Sequence, residues 1–161
     1  MHRISQFVAH VRARVGPEEH GFAQRALPAG AFGLFEAMPV ADRRHALDVA
    51  GRLVAAGHDD PDLLAAALLH DAAKGRRMRL SHRISGVLLE AFAPGLLRRL
   101  ASPDPASWRH PFHLYLHHAD LSADLAVEAG CSPRAATFIR GAATGDDARL
   151  QRALTEADDA S

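Results

Sequence analysis

Residues 61–75, PDLLAAALLHDAAKG, are apolar on nearly every side as far as Leu69, and then present His70, Asp71 and Lys74. A segment that apolar has to be enclosed by other elements. Asp60 followed by Pro61 is an N-cap with proline at the first helical position, and Gly75 is a stop. The stretch is therefore a helix running to Gly75, and the central buried one. The remainder of the chain sets the class. Ile and Thr occur only three times each, Ala and Leu dominate, and no segment alternates as a half-buried strand does. The expected fold is all-α, a compact bundle of roughly 7–10 helices.

The punctuation divides the chain further. Residues 4–15 read as an amphipathic helix stopped by Gly16 and Pro17, and Pro17 starts a short second one. Residues 29–38 add a turn or two before Pro39. Asp42 is read as the cap of a strong helix that ends at Gly57, with Ala46, Val49, Ala50, Leu53 and Val54 on its apolar face. Helices follow at 80–92, 94–100, 108–118, 120–129, 133–142 and 147–157. Residues 158–161 read as a polar tail.

At 161 residues the chain is long enough for a full core, and 48% hydrophobic with 24% charged residues is ordinary for a globular domain. Lys plus Arg and Asp plus Glu are both 19, which argues against a nucleic-acid polymer or a membrane surface as partner. One cysteine, Cys131, gives no disulfide framework. No apolar run approaches the ~20 residues of a membrane span, and the N-terminal segment has no signal-peptide core, so a cytoplasmic location is expected. The unusual number is 11 histidines.

Charge on a buried helix is costly unless paired or bound to metal. On a continuous helix Asp71 and Lys74 stand i,i+3, and His70 and Lys74 i,i+4, so all three leave on one side. They could simply meet water, with Lys74 favouring the C-terminal dipole. His45, on the flank of the preceding helix's apolar face, could instead turn towards His70.

His45, His70 and Asp71 in ALLHDAAKG, and Asp158 in TEADDAS together resemble the HD domain superfamily, all-helical metal-dependent phosphohydrolases with an adjacent His-Asp pair. The resemblance covers residues 40–160. It implies an HD domain at 41–161, with residues 1–40 a helical extension packed on it. It also implies His45, His70, Asp71 and Asp158 as ligands of one ion, with Asp159 the fallback for the last. Two imidazoles and two carboxylates suit Mn(II), Fe(II) or Zn(II) better than Ca(II). Asp71 and Lys74 would be the catalytic pair, Asp71 orienting water and Lys74 placing positive charge beside a phosphoryl group. Arg44, Arg76, Arg77 and Arg140 could add charge. In the branch of the family that cleaves symmetrical dinucleoside tetraphosphates, extra histidines hold a second ion. The run HHADLSADLAVEAG places His118 at the first such position. At the second, in IRGAATG, this chain has Ala142, so a second ion lacks a ligand.

His110, His113 and His117 stand at i, i+3 and i+7. His113 and His117 have the i,i+4 spacing of a two-histidine metal site, but the same pattern arises as a polar face opposite Phe112, Leu114 and Leu116, and that reading is preferred. His82 is a candidate for the pocket rim. Two function classes follow. One is a metal-dependent phosphohydrolase acting on a small phosphorylated metabolite or nucleotide, as monomer or homodimer. The other is a metal- or nucleotide-binding regulatory module with little turnover.

Overall fold

A computed structural model describes residues 14–161 apart from 76, 77 and 79 and the side chains at 80, 81 and 83. The described residues form nine α-helices, two 3-10 turns and no strand. In chain order they are α1 (Pro17–Ala26), α2 (Ala29–Ala37), α3 (Val40–Ala55), α4 (Pro61–Leu69), α5 (Leu80–Phe92), α6 (Pro94–Leu100), α7 (His110–Glu128), α8 (Pro133–Ile139) and α9 (Ala148–Asp159). The 3-10 turns are Ala72–Lys74 and Gly145–Asp147. None of the helices is long and apolar enough to cross a membrane.

Proline sets the entry of several helices. Pro17, Pro61, Pro94 and Pro133 each stand in the first helical turn, where the missing N–H costs nothing. Asp60 caps α4 by accepting from the backbone of Asp62 and Leu63, and Ser132 caps α8 by accepting from Ala135.

All seven residues from Leu63 to Leu69 are buried, and α4 packs against α1, α2, α3, α7, α8 and α9. The central helix is thus the one that the apolar run specifies. One hydrophobic cluster runs from Ala23, Ala31 and Phe35 through α3, α4 and α7 to Leu154 and Ala157. Residues of α1 and α2 therefore share a core with α3, α4, α7, α8 and α9. Arg134 fastens one end of the bundle. Its guanidinium bonds Asp60, Asp62 and Asp147 at 2.8–3.1 Å and lies 5.0 Å above the ring of Phe138.

Several boundaries differ from the sequence reading. The α-helix of α4 stops at Leu69, not Gly75. Asp71 (φ −106°, ψ 7°) leaves α geometry, and Lys74 N–H bonds Asp71 O at 3.0 Å, an i→i+3 contact. Gly75, at φ +52°, then turns the chain away through a conformation that side-chain-bearing residues rarely adopt. Helix α3 begins at Val40, after Pro39, so Asp42 sits buried inside its first turn and is not the cap. The segments 108–118 and 120–129 are one helix, α7, because no glycine or proline interrupts it after Pro111. Helix α8 stops at Ile139, three residues short of 142. Most of the helix read at 4–15 lies outside the described residues; Arg14 and Val15 are not helical.

Candidate metal centre

The tightened turn after α4 aims His70 and Asp71 at different neighbours. His70, at the C-cap, donates Nδ1–H to the Ala67 carbonyl at 2.9 Å. A carbonyl can only accept, so in the neutral ring Nδ1 holds the proton and Nε2 carries the lone pair. That Nε2 faces His45 and Asp158: the two imidazole rings lie 5.3 Å apart edge to face, and Asp158 Oδ1 is 3.5 Å from His70 Nε2. His45, from α3, donates Nε2–H to the same Asp158 oxygen at 2.9 Å. Residues 113 positions apart therefore meet, because α9 packs back on both α3 and α4. Ligand-capable atoms of His45, His70 and Asp158 all lie within 4.8 Å of one another. Asp159 is exposed, so the contacting carboxylate is that of Asp158.

Asp71 joins at the His70 edge, with Oδ1 3.8 Å from His70 Nε2, and turns towards Lys74, whose Nζ is 2.6 Å away. In a 3-10 turn residues three apart eclipse, which brings this pair together. The turn is pinned from outside. Ser122 of α7 is fully buried, and its Oγ accepts the Ala73 N–H at 3.0 Å. One helical turn earlier, His118 donates Nδ1–H to Tyr115 O at 2.9 Å, as His70 does to Ala67, and stands close enough to Lys74 and Asp71 to feel their charge. Sequence reading overlooks Ser122, although its i+4 relation to His118 puts both on one face.

Burial grades across the cluster. Asp71 is 3% exposed and His70 14%, while His45 and Asp158 are 31% and 45% exposed. The floor at Asp71 is buried and the Asp158 side opens to solvent. The charges follow. Burial pulls the His70 pKa down, but the nearby carboxylates of Asp158 and Asp71 outweigh it and raise it. Burial would raise Asp71, yet His70 and Lys74 hold it at about 2. Asp158 is likewise held well below the usual carboxylate range by His45 and His70, against burial. Burial and the neighbouring Lys74 lower His118, which favours its neutral form.

The sign of the Asp71 effect gives a prediction. Its folded value, about 2, lies below the ordinary 3.8. Its contribution to stability is therefore complete above about pH 4 and is lost as pH falls through 2. The loss is about 2 kcal/mol, from 1.36 kcal/mol per pKa unit. Urea unfolding of ion-free protein between pH 6 and pH 2 should show it, and Asp71→Asn should show an acid-induced loss smaller by that amount.

The donor set suits a transition ion. His70 Nε2 is buried without a hydrogen bond, 3.5 Å from Asp158 Oδ1, and Asp71 Oδ1 is buried with the Lys74 ammonium as its ion-pair contact. A buried lone pair aimed at another imidazole and a carboxylate is what a divalent ion would satisfy, and a ring fixed through its second nitrogen is the usual state of a histidine ligand.

The other candidates lie elsewhere. Arg44 is held by Glu19 at 2.5 Å and Asp48 at 2.8 Å and lines a groove of ≈ 580 Å³ between α1 and α3, which none of the four cluster residues lines. Arg140 is paired with Asp124 at 2.5 Å and Asp120 at 3.7 Å. His82 packs edge-on against Phe112. Ala142 is exposed beyond the end of α8. Arg76 and Arg77 lie outside the described residues. Comparison with family models, with curated proteins and with solved structures finds no match to this chain.

Proposed function

We propose that the chain is a cytoplasmic metal-dependent phosphohydrolase of the kind the HD-domain resemblance implies, acting on a small phosphorylated metabolite or nucleotide. The observation that carries this reading is the buried, unbonded His70 Nε2, aimed at His45 and Asp158 from elements distant in sequence. His45, His70, Asp71 and Asp158 would hold one Mn(II), Fe(II) or Zn(II) ion. When bound, such an ion supplies a water of lowered pKa and a Lewis acid for a phosphoryl oxygen.

The protein's own groups do the remainder. Asp71, ionised at any pH well above 2, accepts a hydrogen bond from the attacking water and orients it. Lys74, paired with Asp71, sets a positive charge at the rim of the buried floor, where charge developing on a transferring phosphoryl group is stabilised. Ser122 keeps both in register by holding the backbone between them. His118 offers a lone pair beside Lys74 for substrate or for a second ion.

A second reading, a metal- or nucleotide-binding regulatory module with little turnover, is favoured by Ala142, whose exposed methyl group cannot ligate. Metal analysis of the purified chain should find about one transition ion. Mono- and dinucleotides and sugar phosphates, assayed with added Mn(II) or Fe(II), should include at least one that is hydrolysed. Asp71→Ala should slow that reaction by about 100-fold or more. Bound metal with no substrate turned over faster than by Asp71→Ala would favour the regulatory module over the enzyme.

A further inference from the structure

Helix α7 carries a second group of imidazoles that the centre does not use. His110, His113 and His117 succeed one another along its length; the polar-face reading sets them opposite Phe112, Leu114 and Leu116, of which Phe112 and Leu114 are buried and Leu116 is half-buried. It does not anticipate how close the rings come. His110 and His113 stack with centroids 5.8 Å apart and planes at 27°, and His113 and His117 come to 4.5 Å at 42°. His113 is half-buried and His117 exposed. Neither ring is hydrogen-bonded or ion-paired to a described residue. His110 donates Nδ1–H to Ser102 O at 3.2 Å, which leaves the lone pair on Nε2.

We infer that His113 and His117 form a separate, two-histidine site for a divalent transition ion on the surface of α7. Histidines at i,i+4 on a continuous helix face one ion from adjacent turns. An all-imidazole set without a carboxylate selects Cu(II), Ni(II) or Zn(II) over Mg(II), Ca(II) or Mn(II), so its preference differs from that of the carboxylate-containing centre. His117 and the neighbouring His118 point about 100° apart around the helix. His118 faces Lys74 and Asp71, so the two sites do not share a ligand.

The test uses the full chain without an affinity tag. Trp108, the chain's only tryptophan, is exposed two residues before His110 and reports on ions bound there. Equilibrium dialysis against Cu(II) or Ni(II) should find one equivalent fewer on the double variant His113→Ala, His117→Ala than on the unaltered chain. Quenching of Trp108 by the ion should weaken by at least about ten-fold in midpoint concentration. Both residues are off the core, so circular dichroism should stay the same. Equal stoichiometry with equal quenching in the two proteins overturns the site, whatever the His45 centre does.

Discussion

Asp158→Ala is expected to lower ion affinity by about 100-fold or more and to reduce turnover by a similar factor, while leaving the fold in place. Asp158 Oδ1 is the atom that joins the two imidazoles, at 2.9 Å from His45 and 3.5 Å from His70. Without it His45 and His70 face each other with no carboxylate between them, and Asp71 is turned towards Lys74. The structural cost is small because the Asp158 side chain is 45% exposed. Ion pairs that open to solvent are worth less than about 1 kcal/mol. Asp158→Asn keeps the shape and removes the charge, so it should fail in the same way. Asp159→Ala, one position on and exposed, should behave as the unaltered protein. Calorimetric titration with Mn(II) or Zn(II) checks all three, and retention of full affinity by Asp158→Ala would remove it from the centre.

Phe138→Ala should cost about 3–5 kcal/mol of stability. The ring is 1% exposed in α8, which packs on both α4 and α7, the helices that deliver His70 and His118. Truncation opens a cavity under the Arg134 guanidinium, 5.0 Å above the ring, and loosens the hub that joins Asp60, Asp62 and Asp147. At ~2–4 °C per kcal/mol for a chain of this length, the melting temperature should fall by roughly 6–20 °C. Phe138→Leu should lose much less. A shift within error for Phe138→Ala would mean that α8 is not a structural wall of the bundle.

Much of the helix order was legible because proline and glycine punctuate this chain: Pro61, Pro94 and Pro133 fix entries, and Gly130 and Gly141, at φ +99° and +69°, follow helix ends. The burial of α4 was legible from its unbroken apolar composition. The stop at Leu69 was not. Nothing in LLHDAAK breaks a helix locally; the turn tightens where tertiary partners take over, Ser122 claiming the Ala73 N–H and Lys74 closing on Asp71. Splitting α7 at residue 119 had no breaker to support it. The convergence of His45, His70, Asp71 and Asp158 was readable only through the family resemblance, since spacing alone cannot place residue 158 beside residue 45. Arg44 and Arg140 show the converse. Arg44 has an i,i+4 acid, Asp48, in plain view, whereas the Asp124 partner of Arg140 lies 16 residues away on another helix.

The reach of α9 back to α3 also sets an order of assembly. His45, His70 and Asp71 leave the ribosome well before Asp158, by roughly ten seconds at ~5–20 residues per second. During that interval a nascent chain presents two imidazoles and one carboxylate but not the bridging oxygen, and holds an ion poorly. In the proposed centre, capture of an ion therefore waits for α9 to dock on α3 and α4, the last of the site's elements to be made.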